Sequence, residues 1–293
     1  MSEAVGFIGL GLMGAGFCKR LLASGRKVVG FDLDPARRSE AQALGVEIVA
    51  SPAEVARRTR LIGIAVTTTK AVDAVVSGVD GVLGAASAGT IVIDFSTTEI
   101  AVTKKLAAAL AAKGIAFIDA PVSGGPPAAE AGTLAIMAGG TKEAIEAARP
   151  LAECLGLFTH MGDVGAGQAT KLVNQALCLT NYCIVAEGLR LAEAYGVDAS
   201  RIPAALAPGL GNSAVLQVMM PRMIAQDFAP RGYARQVLKD LEMLTEAGRE
   251  QHLAMPMVAQ ATTLFRMLIG QGHSELDGIA VVKVLPEVAP PAA

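Results

Sequence analysis

Residues 5–14 read VGFIGLGLMG. The stretch opens as a short apolar run and then sets Gly9-x-Gly11-x-x-Gly14 where a helical pattern begins. In a strand–turn–helix unit such glycines have separate tasks. One permits the tight turn, one lets a pyrophosphate approach the backbone, and one lets helix and strand pack closely. The helix start then aims its unpaired N–H groups and partial positive charge at the phosphates. The glycine spacing alone is a weak signal. It gains weight from the next apolar run, KVVGFD, which ends in Asp32 roughly twenty residues beyond Gly9. An acid there accepts hydrogen bonds from adenosine ribose hydroxyls. The predicted cofactor site is therefore Gly9, Leu10, Gly11, Leu12, Met13, Gly14 and Asp32. A carboxylate at Asp32 repels a 2′-phosphate, and Leu33 rather than an arginine follows it. NAD is favoured, with NADP the alternative.

Working outward, the same alternation continues. The runs LIGIAV, TIVIDF and IAFIDA are short, apolar and rich in Val or Ile, as strands buried on both faces are. Between them lie alanine-rich helical runs such as AVTKKLAAALAAKG, whose closing glycine suits a C-cap. GTLAIMAGG, TKEAIEAARPLAECLG and LFTHMG add a strand, a helix and a strand. This predicts an α/β domain over residues 1–162, a Rossmann-type doubly wound sheet that binds NAD. From 163 to 293 no convincing strand follows. Residues 168–195 hold no proline and a single glycine, Gly188, and predict one long helix joining the domains. Further helical runs at 198–206, 213–225, 233–249 and 255–270 predict an all-helical second domain, for the substrate pocket and oligomerisation. The proline-rich tail VLPEVAPPAA is expected to fray.

Composition excludes several classes. A net charge of −2 gives no reason to expect nucleic acid or an anionic membrane as partner. No stretch has the ~20 consecutive strongly apolar residues of a membrane span. The cysteines Cys18, Cys154, Cys178 and Cys183 lack metal-site spacing, so no metal is expected. Free thiols and the absence of a basic segment before the first apolar run predict a cytoplasmic protein.

One stretch of the long helix is unusual. In GAGQATKLVNQ, Lys171, Asn174 and Gln175 share one helical face in an otherwise apolar run. Such a stripe makes sense if it faces a cleft. A lysine in apolar surroundings loses part of its preference for charge and can exchange a proton with a substrate oxygen. Ser123-Gly124-Gly125 follows the strand IAFIDA and Pro121. Backbone N–H groups exposed by glycine there can cradle an anion, at the sheet end where α/β folds place ligands.

GFIGLGLMG, IDFSTT, DAPVSGG, GTLAIMAGG, GAGQATKLVNQ and LKDLEML, in this order and spacing, resemble the β-hydroxyacid dehydrogenases. That family includes 3-hydroxyisobutyrate dehydrogenase and tartronate semialdehyde reductase and is related to 6-phosphogluconate dehydrogenase. The resemblance spans nearly the whole chain. It implies Lys171 as catalytic general acid/base. It implies Ser123, Gly124 and Gly125 at the substrate carboxylate, and Asn174 and Gln175 at the substrate. Val66 and Thr67 would border the cofactor, Thr97 its nicotinamide, and Lys239 would reach it from the helical domain. The chain departs from the family at Val66-Thr67 in place of Leu-Pro, at Gly16-Phe17 in place of Pro-Met, and at Ile279 in place of serine after Asp277. Gln175 replaces a second asparagine, and the Asn174-Gln175 pair looks more like the tartronate semialdehyde reductases. The expected activity is hydride transfer between NAD(H) and a small β-hydroxyacid or its semialdehyde, by a homodimer or homotetramer. Tartronate semialdehyde (2-hydroxy-3-oxopropionate) is the first expectation. 3-Hydroxyisobutyrate or another short 3-hydroxyacid is the alternative. Imine reductases, which generally lack a lysine here, and a non-catalytic dinucleotide-binding protein are remoter ones.

Overall fold

The computed structural model describes residues 4–287, which form two compact units, one up to Lys171 and one from Leu172. The first is built on a sheet. Its strands are β1 (Val5–Ile8), β2 (Val28–Phe31), β3 (Glu47–Ile48), β4 (Leu61–Ile64), β5 (Ile91–Asp94), β6 (Ala116–Asp119), β7 (Val122–Ser123), β8 (Leu134–Gly139) and β9 (Gly156–Gly162). The order is β3-β2-β1-β4-β5-β6-β8-β7, with β9 beside β8. From β3 through β6 every pairing is parallel. β8 then runs antiparallel to β6 and to β7, and parallel to β9. All four residues of β1 and of β2 are buried, which is why these strands read as unbroken apolar runs.

The strand order reverses between β1 and β4, and ligands of open α/β sheets bind at such a point, outside the carboxyl ends of the strands. Two apolar layers cover the sheet. One is centred on Phe7, Phe17 and Phe95, whose ring centroids lie 4.7–6.2 Å apart; the other is centred on Ile62, Ile64 and Val92. β3 and β7 escaped sequence reading. At two residues each they are too short to show a period.

The long helix runs Ala166–Ala194, starting two residues before its predicted onset. In the second unit the predicted helical runs become Ile202–Leu206, Ala214–Ile224, Ala234–Glu250 and Pro256–Gly270, the first preceded by a 3-10 turn at Ala199–Arg201. Ser213 caps Ala214–Ile224 by accepting from the Leu216 N–H. No strand occurs in this unit among the described residues. Its core gathers Leu179, Met220, Leu241, Phe265 and Val281. The 3-10 helix Gly278–Val284 was not anticipated. Its buried residues Gly278–Val282 make an unbroken apolar run without helical spacing, so it gave no periodic signal. Of the proline-rich tail, residues 288–293 lie outside the described residues.

Candidate active site

The fingerprint loop joins β1 to the helix Leu12–Ala23. Gly9 has φ +91°, and a Cβ there would lie 2.3 Å from the Ala65 carbonyl oxygen. A Cβ on Gly14 would lie 1.9 Å from the Gly9 carbonyl oxygen. Gly11 differs, because a Cβ there meets nothing within 4 Å. The first and third glycines serve the fold, and the middle one keeps a face of backbone open. Asp32 Oδ2 accepts from the Leu10 N–H at 2.6 Å, tying the end of β2 to this loop. Its Oδ1 accepts from the Asp34 N–H at 2.8 Å. A carboxylate has lone pairs for further donors, so Asp32 can still receive ribose hydroxyls. The open glycine backbone, the helix start and this acid fit a dinucleotide. Leu10 is buried, Met13 packs on the core and Leu12 is exposed. Arg38, on the helix Pro35–Ala43, donates to the Asp32 carbonyl oxygen at 2.8 Å.

Four more strand ends converge on the same side of the sheet. After β4, the Val66 N–H donates to Ser96 Oγ at 3.0 Å, and Thr67 is exposed. Ser96 and half-buried Thr97 follow β5. After β6 the chain turns through β7 into Gly124 and Gly125, whose φ angles are +129° and +72°. Both lie in the left-handed region that favours glycine. Lys171 is only 7% exposed, and its Nζ donates to the Val122 carbonyl oxygen at 2.7 Å. Val122 directly precedes Ser123. The amine and the Ser123-Gly124-Gly125 turn are thus neighbours.

Behind them lies a buried polar network that sequence reading missed. Asp94 and Asp119 pair in register at the ends of β5 and β6, and both are fully buried. Burial pushes Asp94 up to about 7, with the facing Asp119 charge adding to it against hydrogen bonds from Ser96 and Thr98. Burial also pushes Asp119 up to about 6, against hydrogen bonds from Gly165, Gln168 and Gly167. Each aspartate closes an apolar strand, the one sign that could have marked them.

In the helical unit, Asn174 Nδ2 donates to Gln175 Oε1 at 2.8 Å, and Gln175 Nε2 donates to Asp240 Oδ2 at 2.6 Å. Asp240 Oδ1 is 2.9 Å from Lys239 Nζ. Asn174, Gln175 and Lys239 are therefore brought together through Asp240, which sequence reading did not single out. Ile279, two residues after Asp277, is fully buried in this unit's core. Among the described residues no cluster of His, Cys, Asp and Glu could hold a metal ion. No helix there is long and apolar enough to cross a membrane.

Residues 4–165 match the NAD binding domain of 6-phosphogluconate dehydrogenase, and residues 165–285 match the NAD-binding domain of NADP-dependent 3-hydroxyisobutyrate dehydrogenase. The chain belongs to the 3-hydroxyisobutyrate dehydrogenase-like β-hydroxyacid dehydrogenases. It is 36% identical to 2-(hydroxymethyl)glutarate dehydrogenase of Eubacterium barkeri, over 97% of this chain and 95% of that protein. It is 34% identical to 2-hydroxy-3-oxopropionate reductase of Escherichia coli, over 97% and 98%. Among solved structures, 3-hydroxyisobutyrate dehydrogenase of Mycobacterium tuberculosis with L-serine matches at a TM-score of 0.85 and 30% identity, over 97% and 99%. The chain is an NAD(P)-dependent β-hydroxyacid dehydrogenase or reductase, and the Rossmann-type unit followed by a helical one is the family's fold.

Proposed function

We propose that Lys171 is the general acid/base of this enzyme and that its preferred substrate is 2-hydroxy-3-oxopropionate or the matching hydroxyacid, glycerate. The observation that carries the catalytic part is the bond from Lys171 Nζ to the carbonyl of Val122, directly before Ser123. It places a buried amine beside the turn proposed to take the substrate carboxylate. When bound, the nicotinamide supplies the acceptor or donor of a hydride. In oxidation Lys171 takes the hydroxyl proton as the carbinol C–H bond breaks; in reduction it returns a proton to the carbonyl oxygen. Ser123 with the N–H groups of Gly124 and Gly125 binds the carboxylate. Asn174 binds substrate from the next turn of the helix, and Gln175 completes the substrate set. Gly9, Leu10, Gly11, Leu12, Met13, Gly14 and Asp32 hold the adenosine pyrophosphate half, with Val66, Thr67, Thr97 and Lys239 at the remainder. Asp32 supports NAD over NADP.

The substrate choice rests on Gln175 and on likeness to the Escherichia coli reductase. The relative named for 2-(hydroxymethyl)glutarate makes a larger hydroxyacid the second candidate; 3-hydroxyisobutyrate is the third. We also propose a cytoplasmic homodimer or homotetramer. Val173, Leu177, Ile184 and Leu191 repeat at intervals of four and seven along the long helix, each more than half exposed, and a second copy of the chain would cover them. Among the described residues no disulfide joins the cysteines. A spectrophotometric screen of short 3-hydroxyacids and their semialdehydes, run with both NAD(H) and NADP(H), tests the activity. Turnover of glycerate or its semialdehyde with NAD(H) is expected. Preference for the methylated acid, or for NADPH, would overturn that part of the proposal.

A further inference from the structure

The buried network behind Lys171 has no part in the reaction as described, yet its members are all within 4% of complete burial. Asp119 Oδ1 accepts from the Gly165 N–H at 2.7 Å and Oδ2 from the Gln168 N–H at 2.8 Å. A carboxylate at the end of β6 thus satisfies the unpaired N–H groups that open the long helix. Gln168 extends the clamp to β5. Its Oε1 accepts from the Thr98 N–H at 3.1 Å, and its Nε2 donates to the Ser96 carbonyl at 2.8 Å. Ser96 in turn holds Val66 after β4. The helix start has no room to shift toward the sheet, since a Cβ on Gly167 would lie 2.4 Å from the Met137 carbonyl oxygen and 2.5 Å from that of Asp119.

Lys171 lies three residues beyond Gln168, on the same side of the helix. Its amine reaches the carbonyl of Val122, three residues beyond Asp119. The backbone of Lys171 and the tip of its side chain are thus both referenced to the end of β6. Asp119 stands at the corner where strand, helix and amine meet.

We propose that Asp119 and Gln168 are positioning residues of the reaction, which fix the first turn of the long helix so that the Lys171 amine is held at the Val122 carbonyl. This rests on Lys171 being the general acid/base. A misplacement of about an ångström at a reacting group can lower a rate on the order of a hundredfold, so loosening this clamp should act on kcat before binding.

The test uses the full-length Asp119→Asn, Gln168→Met and Lys171→Ala enzymes. Each is assayed with NAD(H) on whichever short hydroxyacid the parent turns over fastest, with rates normalised to NADH-binding sites. Asp119→Asn keeps the shape but turns one acceptor into a donor facing an N–H; Gln168→Met keeps the volume and removes both polar ends. We expect kcat to fall tenfold or more in both, with KM and the NADH Kd within threefold of the parent. The midpoint of the kcat–pH profile should move by half a unit or more. Should Asp119→Asn fail to fold, Gln168→Met decides alone. A purely structural role lowers Tm and leaves normalised kcat within twofold and the pH midpoint unmoved; that result overturns the proposal. Parental activity in Lys171→Ala would overturn the Lys171 assignment itself. An inactive Lys171→Ala beside a parental Gln168→Met would overturn only the positioning role.

Discussion

Asp119 in the sheet unit and Asp277 in the helical unit are both buried carboxylates that accept N–H groups at the start of a helix, and their surroundings differ. Asp277 Oδ1 lies 3.3 Å from Arg222 Nη1 and accepts from the Ile279 N–H at 3.2 Å, while its Oδ2 accepts from the Arg231 and Gly232 N–H groups at 2.6 and 3.2 Å. Arg222 spends its other donors on Asp227 and on the carbonyls of Asp227 and Ala229. This cluster closes on itself and locks the start of the 3-10 helix Gly278–Val284. Asp119 is faced by a second carboxylate, Asp94, and the groups it holds lead to Lys171. One buried acid stabilises by being paired. The other keeps an arrangement that burial disfavours, which makes sense where the arrangement serves chemistry.

Lys171→Ala gives the largest effect on the sheet side of the comparison. With Lys171 as the proposed acid/base, its removal should lower kcat by about 10²–10⁴. Tm and NADH binding should stay near the parent, because the side chain ends at one carbonyl of the two-residue strand β7. Activity within threefold of the parent would break the assignment.

Arg222→Met makes the same cut on the helical side. It strands Asp277 as a buried charge without its guanidinium, which should cost roughly 3–5 kcal/mol of stability, read as a fall in the urea midpoint. Normalised kcat should change little. A variant of parental stability with damaged kcat would reverse the roles given to the two clusters.

Sequence and structure diverge along the same line. The glycine fingerprint, Asp32 and the apolar strand runs were legible because each needs a local backbone shape or period, and the long helix announced itself by length. Lys171 stood out as a charge in an apolar helix. Asp94, Asp119 and Gln168 did not, because their meaning depends on strands and a helix that meet only once folded; Gln168 and Asp119 are far apart in the chain. Arg222 and Asp277 are equally remote. Asp240 was hidden for the same reason, although Lys239 beside it was named.

The raised carboxylates also make stability depend on pH. Burial raises Asp94 to about 7 and Asp119 to about 6, well above an ordinary aspartate. Between the ordinary value and the raised ones the folded state holds more protons than the unfolded chain, so stability falls as pH rises. Their contribution is fully present below about pH 4 and is lost as pH climbs through 6 and 7. Carboxylates held low by arginines, such as Glu146 and Asp227, lose their contribution at more acid pH, outside this window. Urea midpoints should therefore show the parent more stable at pH 5 than at pH 8, by about 2–4 kcal/mol. Asp94→Asn should remove most of that difference. A parent that gains stability steadily toward pH 8 contradicts the account.

The smallest expected effect belongs to Gln175, where the helical unit comes nearest to having a chemical role. Both ends of its amide are committed, one to Asn174 and one to Asp240. Gln175 thus bears on substrate through the orientation of Asn174, whose Nδ2 it holds, as well as by its own bulk. Asparagine is one methylene shorter and cannot span from Asn174 to Asp240. Gln175→Asn would leave a carboxylate oxygen of Asp240 short of a donor and let the Asn174 amide turn. A substrate with a hydroxyl on its α-carbon can pair with a correctly turned amide, whereas one bearing a methyl group leaves it unpaired. An unpaired buried amide costs about 1–3 kcal/mol, and only part of that should appear here because Asn174 itself remains. The expected result is a fall in kcat/KM for glycerate of roughly three- to tenfold, with 3-hydroxyisobutyrate changed less. The ratio of the two values therefore narrows. An unchanged ratio with an intact fold would place Gln175 with Arg222 and Asp277, among the groups that only hold their unit together.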